Sequence, residues 1–265
     1  MRLVLKLALA GAVLSVAARA GTIPSGWTCT GNCGEDGSDG VVPLSPTGNS
    51  YYEWVSTTNG TTGVGALPTG ALGSETDGST LATSVFSASS GTPLSFYFDF
   101  VTSDGAGYAD YAWAALFNSS NTLVALLFTA RTEPSGTIVP GTGMPPVNTG
   151  VTLTPSSVDI TPNATSWSPL GTWSGDCFDP GCGNTGWVNA TYDIPTAGNY
   201  YLEVGVVNWI DQEFDTGLAM DGVTVGGAPI TGGGTPEPAT FAMLGAGLLG
   251  LAGFARMRRS NSAKS

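Results

Sequence analysis

Leu94-Ser95-Phe96-Tyr97-Phe98-Asp99-Phe100-Val101 alternates between two faces. Successive side chains of an extended chain point to opposite sides, so Phe96, Phe98 and Phe100 share one face and Tyr97, Asp99 and Val101 the other. Working outward, residues 111–117 and 122–129 read as two strands joined at Asn118-Ser119-Ser120-Asn121, a hairpin-like turn. Residues 50–55, 187–194, 200–208 and 218–225 continue the series. Clusters of Gly, Ser, Thr, Pro and Asn separate these runs, the pattern of short strands between turns. No segment between the two ends of the chain has a capped helical period. The prediction is an all-β fold, a single jelly-roll-like β-sandwich over residues 21–231.

The ends of the chain have a different chemistry. Arg2 and Lys6 precede an apolar run at residues 7–16, and Ala18-Arg19-Ala20 closes in a small-x-small pattern. These are the parts of a secretory signal peptide, residues 1–20, cut by signal peptidase after Ala20. At the other end a Gly-rich spacer, residues 232–235, leads into Pro236-Glu237-Pro238. An apolar stretch over 241–255 follows, then Arg256, Arg258 and Arg259 and a short tail at 260–265. A proline after Glu237 disfavours the helical region there, so the apolar helix starts only beyond Pro238. It spans roughly 20–25 Å, slightly short of the hydrocarbon core of about 30 Å. The positive-inside rule places both basic ends in the cytoplasm and everything between them outside. Contact with the membrane is expected only through these terminal segments.

Pro-Glu-Pro, a short apolar helix and an Arg-rich end, in that order, resemble the PEP-CTERM sorting domain. The resemblance implies recognition and cleavage at Pro236, Glu237 and Pro238 by an exosortase, with Arg256, Arg258 and Arg259 as the membrane stop. Exosortases are membrane enzymes of Gram-negative bacteria that also make exopolysaccharide, so the expected destination is the cell surface or extracellular matrix. The body resembles a recurrent PEP-CTERM surface-protein family of unknown function. That likeness rests on Gly-Trp-Thr-Cys-Thr-Gly-Asn-Cys at 26–33, the stretch 99–110, and Trp209-Ile-Asp-Gln-Glu-Phe-Asp-Thr-Gly-Leu-Ala.

Between residues 21 and 235 one arginine, Arg131, stands against nineteen acids, a net charge of −18. Nucleic-acid binding needs Lys and Arg to displace counterions from phosphates, and anionic membrane surfaces need them too; both partners are excluded. The chain contains no histidine, which removes Ser-His-Asp and Cys-His catalysis and His-ligated metals. Without a lysine in the body there is no Schiff-base chemistry. Carboxylates and tyrosines are left.

Cys29, Cys33, Cys177 and Cys182 form two close pairs, and in an exported chain they are expected to be oxidised. Four cysteines allow three connectivities; local pairs, each pinning a Gly-rich loop, are favoured over a four-thiolate zinc site. Three acidic clusters stand out, at 35–40, 104–110 and 211–215. Calcium takes six to eight oxygens, which Asp- and Gly-rich loops supply, so Asp211, Glu213 and Asp215, with Asp221, are the candidate calcium ligands. No other cofactor is indicated. Among seven tryptophans, Trp113 is expected in the core and Trp167 and Trp173 on an exposed sugar-stacking platform. The expected role is structural or adhesive and non-enzymatic, with exopolysaccharide or another glycan, or calcium, as ligand. The alternative is a secreted carbohydrate-active hydrolase that pairs two of Glu53, Asp99, Glu203 and Asp221.

Overall fold

The structure, a computed structural model, describes residues 22–133 and 137–230. The segments read as signal peptide, spacer, sorting signal and tail lie outside the described residues. Among the described residues no helix is long and apolar enough to cross a membrane.

Eight principal strands build the body: β1 (Tyr52–Ser56), β2 (Glu75–Ala82), β3 (Thr92–Thr102), β4 (Tyr111–Asn118), β5 (Leu123–Arg131), β6 (Val188–Ile194), β7 (Gly198–Trp209) and β8 (Thr216–Val225). Their pairings nest, β1 with β8, β2 with β7, β3 with β6 and β4 with β5, all antiparallel. Two further ladders, β8 on β3 and β7 on β4, complete sheets of order β1-β8-β3-β6 and β2-β7-β4-β5. A doubled ribbon rolled so that its strands alternate between two sheets is a jelly roll, as the alternating pattern predicts.

The alternation sets the core. Phe96, Phe98 and Phe100 of β3 point between the sheets, and Phe98 stacks on Phe128 of β5 with ring centroids 3.7 Å apart. Leu94, Leu116, Leu202, Val206, Leu218 and Met220 fill the same layer.

Both outer faces are covered as well. On the second sheet Tyr111, Trp113, Ala115 and Phe117 lie under a loop that brings Leu67 down, and the Trp113 indole N–H donates to the Gly65 carbonyl at 2.7 Å. Trp113 is buried, as expected, but beneath that loop and not between the sheets. Its ring fits because Gly205 lies opposite on β7; a Cβ there would come within 2.6 Å of the indole. On the first sheet Tyr52, Val101 and Ala219 are covered by Val42, Trp167 and Leu170. This corrects the reading of Trp167 as an exposed platform. It is fully buried, and its indole N–H donates to the Tyr52 hydroxyl at 2.9 Å. The Pro/Ser/Gly-rich segment around it is the cover over an apolar sheet face, and the tryptophan is its plug.

Strand β2 has no counterpart among the runs read from sequence. Its Asp77, Gly78 and Ser79 are small or polar yet buried. Close approach replaces apolar bulk there. The Ser79 hydroxyl donates to the Ser56 carbonyl at 2.6 Å, and a Cβ on Gly78 would lie 2.1 Å from the Val206 carbonyl oxygen.

Disulfides join Cys29 to Cys33 and Cys177 to Cys182. The first does more than pin a loop. Thr28–Thr30 pairs with β2 and Asn32–Asp36 with β1, so the chain changes sheets at Gly31 and the bridge clips the two edges together. Gly31 makes this crossing at φ +91°, where a side chain would be strained and a Cβ would strike the Ser79 hydroxyl at 2.3 Å.

Urea unfolding should rank these features. Phe98→Ala, which empties the stacked centre, is expected to cost about 3–5 kcal/mol. Opening the small Cys29–Cys33 loop by the double Ser substitution should cost less, about 2 kcal/mol.

Candidate functional site

Because the ladders are antiparallel, the β3–β4 and β7–β8 connections leave the sandwich at one end. Thr102 and Thr216, paired across β3 and β8, share a hydroxyl hydrogen bond of 2.6 Å at that end. The buried Asp110 carboxylate accepts from the Thr216 hydroxyl at 2.6 Å and from the Trp209 N–H at 2.8 Å. The Thr102 hydroxyl in turn accepts from the Asp104 N–H at 3.1 Å, and the Ser103 N–H donates to the Asp215 carbonyl. One polar node thus holds both loops.

Asp104 is only 2% exposed. Its Oδ1 accepts the Gly105 N–H at 2.6 Å, while its buried Oδ2 has no hydrogen-bond partner. Burial, reinforced by the charge of Asp211, pushes the Asp104 carboxyl up to about 7. Asp110 is pushed well above the usual carboxylate range by burial and then by Asp104, against the lowering effect of its hydrogen bonds.

A third loop, closed by Cys177–Cys182, docks on this end. The Phe178 N–H donates to the Ser103 carbonyl and the Ala106 N–H to the Pro180 carbonyl, both at 3.0 Å. Gly105 permits the contact, since a Cβ there would lie 2.5 Å from the Asp179 side chain. Phe178 stays 47% exposed. Its ring meets Tyr108 edge-on at 5.4 Å and Phe214 at 4.9 Å, and Phe214 stacks on Trp173 at 4.2 Å. A cavity of about 160 Å³ lies among Asp104, Tyr108, Phe178, Asp211, Glu213 and Phe214. Phe178 also borders a larger open cavity of about 560 Å³, lined by the disulfide loop and by Asp159, Ile160, Pro162 and Asn163. The loop after β7 enters the left-handed region at Ile210 (φ 79°) and Phe214 (φ 55°). For a β-branched residue such as Ile210 that conformation is strained by roughly 1–3 kcal/mol.

The expected calcium set is not assembled. Asp211 and Glu213 line the small cavity, but Asp215 does not; it is buried, accepting from the Thr57 and Thr58 hydroxyls at 2.9 and 2.6 Å. Asp221 lies six residues further along the extended chain from Asp215, about 20 Å at strand rise. Its carboxylate is occupied by Ser45, Thr47, Asn49 and the Gly222 N–H. Among the described residues no three His, Cys, Asp or Glu side chains converge to hold a metal ion. In the 35–40 cluster, Asp39 accepts the Ser168 N–H at 2.7 Å and so ties down the covering segment.

The four carboxylates considered for hydrolysis are split between the two sheets. Glu203 lies on β7 in the second sheet, while Glu53, Asp99 and Asp221 belong to the first and are buried. Glu53 is held well above the usual range by burial and then by neighbouring Asp221. Asp99 accepts from Thr185 at 3.1 Å and is pushed to about 7 by burial. Sequence reading found the acids at 104 and 211–213 and named Trp173, but missed Tyr108, Phe178 and Phe214. The available signal was an aromatic residue inside a Gly/Asp/Pro-rich loop: Phe178 between the paired cysteines, Phe214 between two acids.

Residues 235–259 match the PEP-CTERM protein-sorting motif. The tail is that of an exosortase substrate. Such a tail implies export, processing by an exosortase, and a surface or extracellular location. No curated protein matches the chain. Among solved structures, the K1 and K3 cleaved adhesin domains of Lys-gingipain from Porphyromonas gingivalis W83 are similar at 12% and 11% identity, with TM-scores of 0.38 and 0.35. The K1 alignment covers 78% of this chain and 93% of that domain; for K3 the shares are 77% and 92%. The enzymatically active domain of tailspike protein 4 from bacteriophage CBA120 aligns at 11% identity and TM-score 0.32, over 76% of this chain and 19% of that one. At these scores the likenesses carry no inference about ligand or activity.

The buried acids set a pH dependence. A carboxyl raised to about 7 when folded, like Asp99, keeps a proton that the unfolded chain releases near pH 4. Stability is therefore fullest below about pH 4 for this group and falls as pH rises toward 7, by up to about 1.4 kcal/mol per pH unit. Melting temperature is expected to fall from pH 5 to pH 8, and Asp99→Asn should flatten that slope. A melting temperature rising with pH would contradict the assignment.

Proposed function

We propose that the jelly-roll body is a non-catalytic glycan-binding or adhesive module, freed from its tail by the exosortase and displayed at the surface or in the exopolysaccharide matrix of a Gram-negative bacterium. The observation that carries the reading is the groove at the strand ends, where Phe178 separates two cavities and carboxylates stand beside aromatic rings. Sugar rings offer C–H faces to aromatic side chains and hydroxyls to carboxylate acceptors, and this groove supplies both groups. The disulfide and the Asp110 node support a preorganised site, which lowers the ordering cost of binding. The tail supports the location.

A second reading keeps a specific observation. Glycoside hydrolysis needs one carboxyl that holds its proton near neutrality and a second carboxylate nearby. Asp104, raised to about 7, faces the same cavity as Asp211 and Glu213. Reducing-end release from a polysaccharide panel, abolished by Asp104→Asn, would establish that reading.

Two measurements test the proposal. On a glycan array, Phe178→Ala and Phe214→Ala should each weaken binding roughly twofold to tenfold, the loss of one aromatic contact of about 0.5–1.5 kcal/mol; an array on which the protein binds nothing would defeat the glycan reading. In cells without the exosortase the protein should keep its tail and stay with the membrane. Unchanged size and location there would defeat the processing scheme.

A further inference from the structure

We infer that the smaller cavity receives a protonated amine carried on a sugar ring, the recognition group of a de-acetylated amino-sugar polysaccharide. This rests on the glycan reading above and names its ligand class.

The starting point is an unmet hydrogen-bonding demand. Asp104 is buried, lines the cavity, and has an Oδ2 to which nothing in the protein donates. A buried polar atom without a partner is costly, and a donor brought by a ligand removes that cost. The donor is best cationic. Asp211 and Glu213 line the same space, and the only Lys or Arg among the described residues is Arg131. That guanidinium is engaged elsewhere, 4.7 Å from the Trp209 ring centroid and donating from Nε to the Ala109 carbonyl at 3.1 Å.

The walls separate an organic cation from a metal. Calcium takes six to eight oxygens. Here three of the six lining side chains are aromatic, and no three acids converge on one point. Aromatic faces attract ammonium groups by about 0.5–1 kcal/mol when exposed and about 2 when desolvated. The geometry also favours a ring over a flexible stem. The volume of about 160 Å³ is close to that of an engineered cavity of roughly 150 Å³ that holds benzene, so it suits one ring with its substituent. The larger cavity bordered by Phe178 gives room for the next units of a chain.

The test titrates the full chain calorimetrically with a β-1,4-linked glucosamine tetramer, its fully N-acetylated counterpart, tetralysine, and calcium chloride alone. The free amine is expected to bind at least about tenfold more tightly than the acetylated form, equivalent to about 1.4 kcal/mol. Asp104→Asn should erase that margin, weakening the free amine more than the acetylated ligand. Glu213→Gln, on an exposed side chain, reads the same margin if the first variant does not fold, and should narrow it. Equal affinity for the two tetramers overturns the amine while leaving the glycan reading in place. No binding of either tetramer, with other glycans bound on the array, also overturns the amine alone; an array that is blank as well overturns both. Tighter binding of tetralysine overturns the sugar in favour of a peptide. Heat from calcium that Asp104→Asn abolishes overturns it in favour of a metal.

Discussion

The carboxylate of Asp110 joins two loops that strand order alone would only bring near each other. It accepts the Trp209 N–H at the end of β7 and the Thr216 hydroxyl at the start of β8, while its own loop carries Asp104. Fixing these positions puts a second acid, Asp104, against the first. Asp110 takes the Trp209 N–H and the Thr216 hydroxyl, and Asp104 receives only the Gly105 N–H, on one oxygen. The node that orders this end of the sandwich therefore also creates its unsatisfied atom. Low local dielectric makes such an arrangement costly when unpaired and strong when paired.

The rest of the site follows from one long connection. Between β5 and β6 the chain adds Thr152–Thr154 to the edge of the first sheet, lays Trp167 and Leu170 over that sheet, and passes through the Cys177–Cys182 loop that presents Phe178. The same excursion thus closes an outer face and supplies one wall of the groove. Charge is divided as sharply. Seven of the eight Lys and Arg residues lie outside residues 21–235, leaving a body that repels anionic surfaces and draws cations.

The fold was legible where side chains alternate in bulk. Residues 94–101 announce their inner face by three phenylalanines, and the hairpin of β4 and β5 announces itself by a polar turn between apolar runs. Strand β2 was not legible, because Gly78 and Ser79 are chosen for close backbone approach and carry no apolar signal. Trp167 was misplaced for a related reason: a Pro/Ser/Gly-rich segment reads as surface whether it faces water or plugs a sheet. The two acidic stretches that meet at the groove, 104–110 and 211–215, were visible as composition. Their convergence, and the separation of Asp221 from Asp215, depend on which loops share an end of the jelly roll. That is a property of strand pairing far apart in the chain, and local pattern does not encode it.

The account turns on where a ligand amine would sit. A crystal structure of the protein soaked with the glucosamine tetramer tests this most directly. The account predicts the amine nitrogen within about 3 Å of Asp104 Oδ2, with the sugar ring against Phe178 or Phe214. A tetramer bound on a sheet face, or in the groove with its amine turned to solvent and Asp104 still unpartnered, would contradict it.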